Sequence, residues 1–102
     1  MSESYPVAVT GVAGRMGRML VAALDAAEGL HLAGALERPG HPWVGRDLGE
    51  AMDGPARGVV VEDDPLPVIA RVRALIDFTS PAATCAHAEL AAQARIVHVI
   101  GT

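Results

Sequence analysis

The stretch VTGVAGRMGRML, residues 9–20, places glycines at positions 11, 14 and 17. An apolar run, YPVAV, precedes them, and a segment with helical apolar spacing follows. Three glycines where a strand passes straight into a helix call for a backbone reason. Gly11 makes the tight turn. Gly14 keeps side-chain bulk away from an anion held at the helix N-terminus, and Gly17 lets the helix pack close to the strand. The spacing is G-x-x-G-x-x-G rather than the commoner G-x-G-x-x-G, with Ala13 at one expected glycine. On this motif alone, a tight strand-to-helix turn with no ligand stays open beside a phosphate-binding turn.

The apolar period then switches repeatedly along the chain. YPVAVTG (5–11) is a short β-branched run, and residues 14–27 put Met16, Leu20, Ala23, Leu24 and Ala27 on one helical stripe, with Gly29 as the stop. LHLAGALE (30–37) is a second strand. Residues 38–58 are rich in Gly and Pro and form a long loop with one short helical turn near 47–52, and loops of this length are functional or mobile. VVVE (59–62) is a third strand and residues 64–73 a helix, with Asp64 as N-cap and Pro65 at its first position. ALIDFT (74–79) is a fourth strand, residues 80–94 an alanine-rich helix capped by Ser80, and RIVHVIG (95–101) a fifth strand. Strands alternating with helices, each strand nearly continuous in apolar residues, predict a parallel sheet covered on both faces. The fold class is therefore α/β, a Rossmann-like doubly wound sheet of about five strands in one domain over 1–102. The right-handed crossover rule gives the strand order 3-2-1-4-5.

Composition excludes several functions. The eight basic residues are scattered in a chain of net charge −4, so there is no nucleic-acid footprint. One cysteine, Cys85, permits neither an intrachain disulfide nor a multi-cysteine metal site. No apolar run approaches ~18 residues, so no membrane span is expected. The N-terminus lacks a signal-peptide pattern, and a cytoplasmic location follows as the expectation.

Glu37 ends the second strand, 20 residues after Gly17. An acid there accepts hydrogen bonds from the adenosine ribose of a dinucleotide. Arg38 follows at once, and a cation beside that ribose accommodates a 2′-phosphate. The pair points to tolerance of both NADH and NADPH, against a solvated charge pair at a strand end. Arg15, in the first helical turn, can reach a phosphate, whereas Arg18 reads as a solvated helix residue.

VAVTGVAGRMGRML, GALERPG, VGRDLGE, LIDFTSP and VIGT, in this order, resemble the N-terminal domain of the bacterial dihydrodipicolinate reductase (4-hydroxy-tetrahydrodipicolinate reductase) family over essentially the whole chain. The resemblance implies reduction of a cyclic dicarboxylate in the diaminopimelate route to lysine, with NADH or NADPH. It places the dinucleotide turn on Gly11, Val12, Ala13, Gly14, Arg15 and Met16. The ribose acid falls on Glu37, the 2′-phosphate contact on Arg38, and the nicotinamide-side pair on Gly101 and Thr102. Phe78 and Thr79 would line the cofactor cleft, with plain core packing equally open for Phe78. It further implies a homo-oligomer at full length. In the family a second, mostly β domain carries a histidine pair and a lysine that supply the proton and grip the substrate. The chain is thus expected to be the cofactor half, with no catalytic and no metal-ligating residue of its own. A non-catalytic NAD(H)-sensing module and an unrelated dehydrogenase of the same fold are the alternatives.

The remaining candidates are read blandly. His31, His41, His87 and His98 share no ligand spacing and are assigned structural or solvent roles. Cys85 reads as a small buried residue, and Met16, Met19 and Met52 as packing residues. Trp43 either covers an adenine or pins the long loop.

Overall fold

The computed structural model describes residues 4–78 and 81–101. It contains β1 (Tyr5–Thr10), α1 (Arg15–Ala26), β2 (Leu30–Leu36), α2 (Leu48–Ala51), β3 (Val61–Glu62), α3 (Pro65–Ile69), β4 (Ala74–Asp77), α4 (Pro81–Ala94) and β5 (Val97–Ile100). All paired strands are parallel, in the order β3-β2-β1-β4-β5 that the sequence predicts. Because β1 has β2 on one side and β4 on the other, the order reverses at β1, and the crevice at that point opens at the C-terminal ends of the strands.

Two apolar cores sandwich the sheet. Val7, Val9, Val21, Leu24, Leu32, Leu48 and Val61 form the one beneath α1 and the 38–58 segment. Ala8, Leu36, Val68, Ile69, Val72 and Leu75 form the other, with Leu90 of α4 packed against it. Coverage fails at β5, where Val97, Val99 and Ile100 are about half exposed. The expectation of a sheet buried on both faces therefore holds for β1, β2 and β4 and not for the fifth strand.

Three sequence expectations are corrected here. The buried face of α1 is Gly17, Val21 and Leu24, not a stripe led by Met16. Met16 and Met19 are 47% and 65% exposed and do not pack. The helix approaches β1 so closely that the residue without a side chain faces the sheet, which rotates the methionines outward. Cys85 is exposed rather than buried. The 64–73 helix shortens to α3, still capped by Asp64, whose carboxylate accepts from Leu66 N at 3.1 Å.

The 38–58 loop is fastened rather than loose. Asp47 caps α2, and its carboxylate accepts from the backbone N–H groups of Glu50, Arg57 and Gly58 at 2.8–3.2 Å. Arg57 crosses to α1 and donates to Asp25 at 2.8 Å. Gly45 N and Leu48 N donate to the carbonyls of Val61 and Val59. The loop is thereby laid along β3, which itself pairs with β2 through two residues.

Candidate functional site

The turn after β1 is built on Gly11, whose φ of +70° is the left-handed conformation that glycine adopts without strain. Gly11 N and Val12 N both donate to Leu36 O, and Gly14 N donates to Gly11 O. The Val12 side chain is fully buried in the core below. At Gly17 an added Cβ would lie 2.6 Å from two backbone carbonyl oxygens, those of Gly11 and Val12. This glycine therefore sets how close α1 can come.

No side chain caps α1, and its first turn carries no acid. The backbone N–H groups of Arg15, Met16 and Gly17 have no acceptor among the described residues. They point out of a twelve-residue helix, and its dipole adds to their attraction for an anion. Arg15 and Met16 are exposed, as is Gly14.

Glu37 reaches this turn. One carboxylate oxygen accepts from Ala13 N at 2.9 Å and the other from Arg38 N at 3.1 Å. Each oxygen keeps a further lone pair for a ligand hydroxyl. Arg38 beside it is exposed and has no salt-bridge partner among the described residues. A cavity of about 370 Å³ opens between the ends of β1 and β2 and helix α4, with Gly11, Glu37, Arg38, Phe78 and His87 in its wall. Phe78 also packs against Gly101, where a Cβ would fall within 2.1 Å of its ring. The sequence-picked residues at the ends of β1, β2, β4 and β5 thus share one sheet edge. Thr79 and Thr102 lie outside the described residues, as does Ser80.

Trp43 pins the loop. It packs against the core on the α1 side, the Arg18 guanidinium sits 5.1 Å from its ring centroid, and His41 meets it edge-on. Arg18 is solvent-exposed, as the sequence suggested, and it also donates to Ala13 O at 3.3 Å, bracing the glycine turn. His31 remains on the exposed start of β2.

The feature that sequence reading missed is a polar knot under the cavity. Asp77 is fully buried at the end of β4. Thr10 Oγ1 donates to its Oδ1 at 2.9 Å, and His87 Nδ1 and His98 Nε2 each lie 3.0 Å from its Oδ2. An acid closing the otherwise apolar strand ALIDF was the available signal, since a buried carboxylate demands donors.

A glycine turn feeding an uncapped helix, an acid ending the next strand, and a doubly wound parallel sheet define a Rossmann-like nucleotide-binding domain. The family model "Dihydrodipicolinate reductase, N-terminus" matches residues 5–102. The chain belongs to this family. It is 60% identical over 102 residues to the 4-hydroxy-tetrahydrodipicolinate reductase of Ruegeria pomeroyi, covering all of this chain and 38% of that protein. The reductase of the same name from Brucella abortus is 53% identical over 94 residues, covering 92% of this chain and 35% of that one. The chain thus spans well under half the length of these curated relatives. Among solved structures, dipicolinate-bound dihydrodipicolinate reductase from Paenisporosarcina sp. TG-14 superposes with a TM-score of 0.77 at 26% identity, over 97% of this chain and 37% of that one. A Rex-family repressor, RSP, in complex with β-NADH, has a TM-score of 0.69 at 17% identity, over 98% of this chain and 54% of that one, a likeness of fold alone.

Proposed function

We propose that this chain is the dinucleotide-holding part of a 4-hydroxy-tetrahydrodipicolinate reductase that uses NADH or NADPH. The observation that carries the proposal is the convergence of the open helix N-terminus, the glycine turn and Glu37 on one cleft. Membership of the reductase family supports it. When bound, the reduced nicotinamide dinucleotide supplies the hydride. The residues of this chain hold it. The N–H groups of Arg15, Met16 and Gly17 take the pyrophosphate, and the glycines keep side chains clear of it. The spare lone pairs of Glu37 take ribose hydroxyls. Arg38 pairs with a 2′-phosphate when there is one, so its charge sets the tolerance for NADPH. Gly101, with Thr102 next to it in sequence, borders the nicotinamide side, and Phe78, with Thr79 next to it in sequence, lines the cleft. The cyclic dicarboxylate and the group that protonates it are handled elsewhere in the longer protein.

Titration with NADH and NADPH tests the proposal. Arg38→Ala is expected to weaken NADPH by about ten- to a hundredfold, the loss of one charge-assisted contact of ~1.5–3 kcal/mol, and to leave NADH nearly unchanged. Glu37→Ala is expected to weaken both. Equal losses of both cofactors in Arg38→Ala would remove Arg38 from the phosphate. Unaltered affinity in Glu37→Ala would remove the acid from the ribose.

A further inference from the structure

The knot at Asp77 fixes more than packing. An ionised carboxylate only accepts hydrogen bonds, so the two imidazoles that meet Oδ2 at 3.0 Å must each present an N–H to it. In a neutral ring this decides the tautomer. In that neutral form His87 has its proton on Nδ1 and Nε2 as a lone pair. His98 is held in the opposite sense, protonated on Nε2. Thr10 Oγ1 donates to the other oxygen, Oδ1, at 2.9 Å. The His87 side chain is 13% exposed and lines the cavity that also holds Glu37 and Arg38. Its Nε2 has no partner among the described residues and is not sealed from solvent.

With Glu37 on the ribose, the attached base must lie beside it, away from the glycine turn. There the cavity is walled by Leu36, Pro39, Phe78 and Ala83, apolar surfaces suited to the faces of a flat ring. His87 is the acceptor on that wall set by a buried partner. Asp63, the other acid bordering the cavity, is exposed.

We propose that Asp77 is a positioning residue that holds His87 as a fixed hydrogen-bond acceptor, and that His87 reads the purine of the dinucleotide through its exocyclic amino group. The site then accepts adenine and disfavours hypoxanthine, which presents a carbonyl oxygen where adenine has its amino group. Two acceptors would face each other, and a site built around a hydrogen bond rejects a ligand that cannot complete it. This inference rests on the dinucleotide proposal made above.

The test compares NADH with reduced nicotinamide hypoxanthine dinucleotide by calorimetric titration of the full-length encoded protein. The wild type is expected to bind NADH about tenfold more tightly, a difference of ~1.4 kcal/mol. His87→Phe is expected to bring the ratio near one by weakening NADH alone. His87→Gln keeps an acceptor oxygen and is expected to retain part of the preference, whether or not the phenylalanine variant folds. Asp77→Asn is the diagnostic change. Its amide offers an N–H to His87 Nδ1, which moves the imidazole proton to Nε2 and turns the acceptor into a donor. The preference should then invert toward the hypoxanthine form, which a merely structural loss would not produce. Equal binding of the two dinucleotides by the wild type, or a preference that persists in His87→Phe or moves instead with Asp63→Asn, overturns the inference while leaving the dinucleotide proposal intact. Failure of the wild type to bind either dinucleotide overturns both.

Discussion

An alanine at position 17 would put its methyl group 2.6 Å from the carbonyl oxygens of Gly11 and Val12, and 2.7 Å from the Val12 carbonyl carbon. All three are backbone atoms, and none can swing aside as a side chain does. Ordinary contact begins near 3.4 Å, so α1 must retreat from the turn by about 0.8 Å. On an exposed helix the same exchange would stabilise by about 1 kcal/mol. Overpacking costs ~1–3 kcal/mol, and rigid backbone neighbours put this site at the upper end. The net expectation is a loss of about 2 kcal/mol, or about 8–16 °C in Tm for a chain of this size. The retreat also carries the N–H groups of Arg15 and Met16 away from the position proposed for the pyrophosphate. Weakening one charge-assisted bond there by ~1.5–3 kcal/mol lowers dinucleotide affinity about ten- to a hundredfold. Urea unfolding followed by circular dichroism and NADH titration of the same preparation measure both effects. A Gly17→Ala chain as stable as the wild type, or more stable, would refute the close approach. Lost stability with unchanged NADH affinity would refute the link between helix position and binding.

Two further outcomes follow from the polar contacts. Thr10→Val keeps the shape of a buried side chain and removes the donor to Asp77 Oδ1, leaving a buried carboxylate one partner short. A loss of about 1–3 kcal/mol is expected in urea midpoints, and an unchanged midpoint would show that Asp77 does not need Thr10. The second outcome concerns acid. The Arg57 guanidinium hydrogen-bonded to Asp25 holds that carboxyl below its usual range, and the backbone N–H groups of Arg57, Glu50 and Gly58 do the same for Asp47. Both acids bind a proton less readily folded than unfolded. Their contribution to stability is therefore complete above the ordinary aspartate range and fades as pH falls through the lowered folded values. Melting curves between about pH 6 and about pH 3 should steepen their decline at the acid end in the wild type. Asp47→Ala should start lower and decline less, and parallel curves would contradict the assignment.

What the sequence made legible was whatever repeats locally. The period of the apolar residues marked the strands and helices, and the glycine turn with Glu37 marked the site edge. Strand order then followed from handedness. The misplacements have a common physical source. The glycine spacing put Gly17 against the strand, while the apolar stripe alone also turned Met16 inward, because a buried glycine leaves no hydrophobic signal to set the helix's rotation. In α4 the run PAATCAHAELAAQA is nearly uniform, so no contrast between faces told that Cys85 looks outward. Asp77, His87 and His98 carry no shared spacing. A crossover through α4 brings the two rings to one oxygen from different elements, and only the tertiary fold supplies that meeting. That the long loop is fastened was not legible, because hydrogen bonds that a single carboxylate, Asp47, accepts from backbone N–H groups ten and eleven residues away have no sequence signature.

The order of the sheet also sets a timetable. β1 and β2 are joined by one helix and can pair early, which already brings the glycine turn beside Glu37. β1 and β4 are neighbours in space, yet Thr10 and Asp77, which meet where they end, are 67 residues apart in sequence. Closing so long a loop is the slow, entropically opposed event in assembling a parallel sheet. The cleft has one wall on each side of that closure. A chain with only its first crossover formed owns the glycine turn and lacks the pocket beside it. Dinucleotide affinity is therefore a property of the finished sheet, and a ligand that needs both walls favours that finished sheet at equilibrium by mass action.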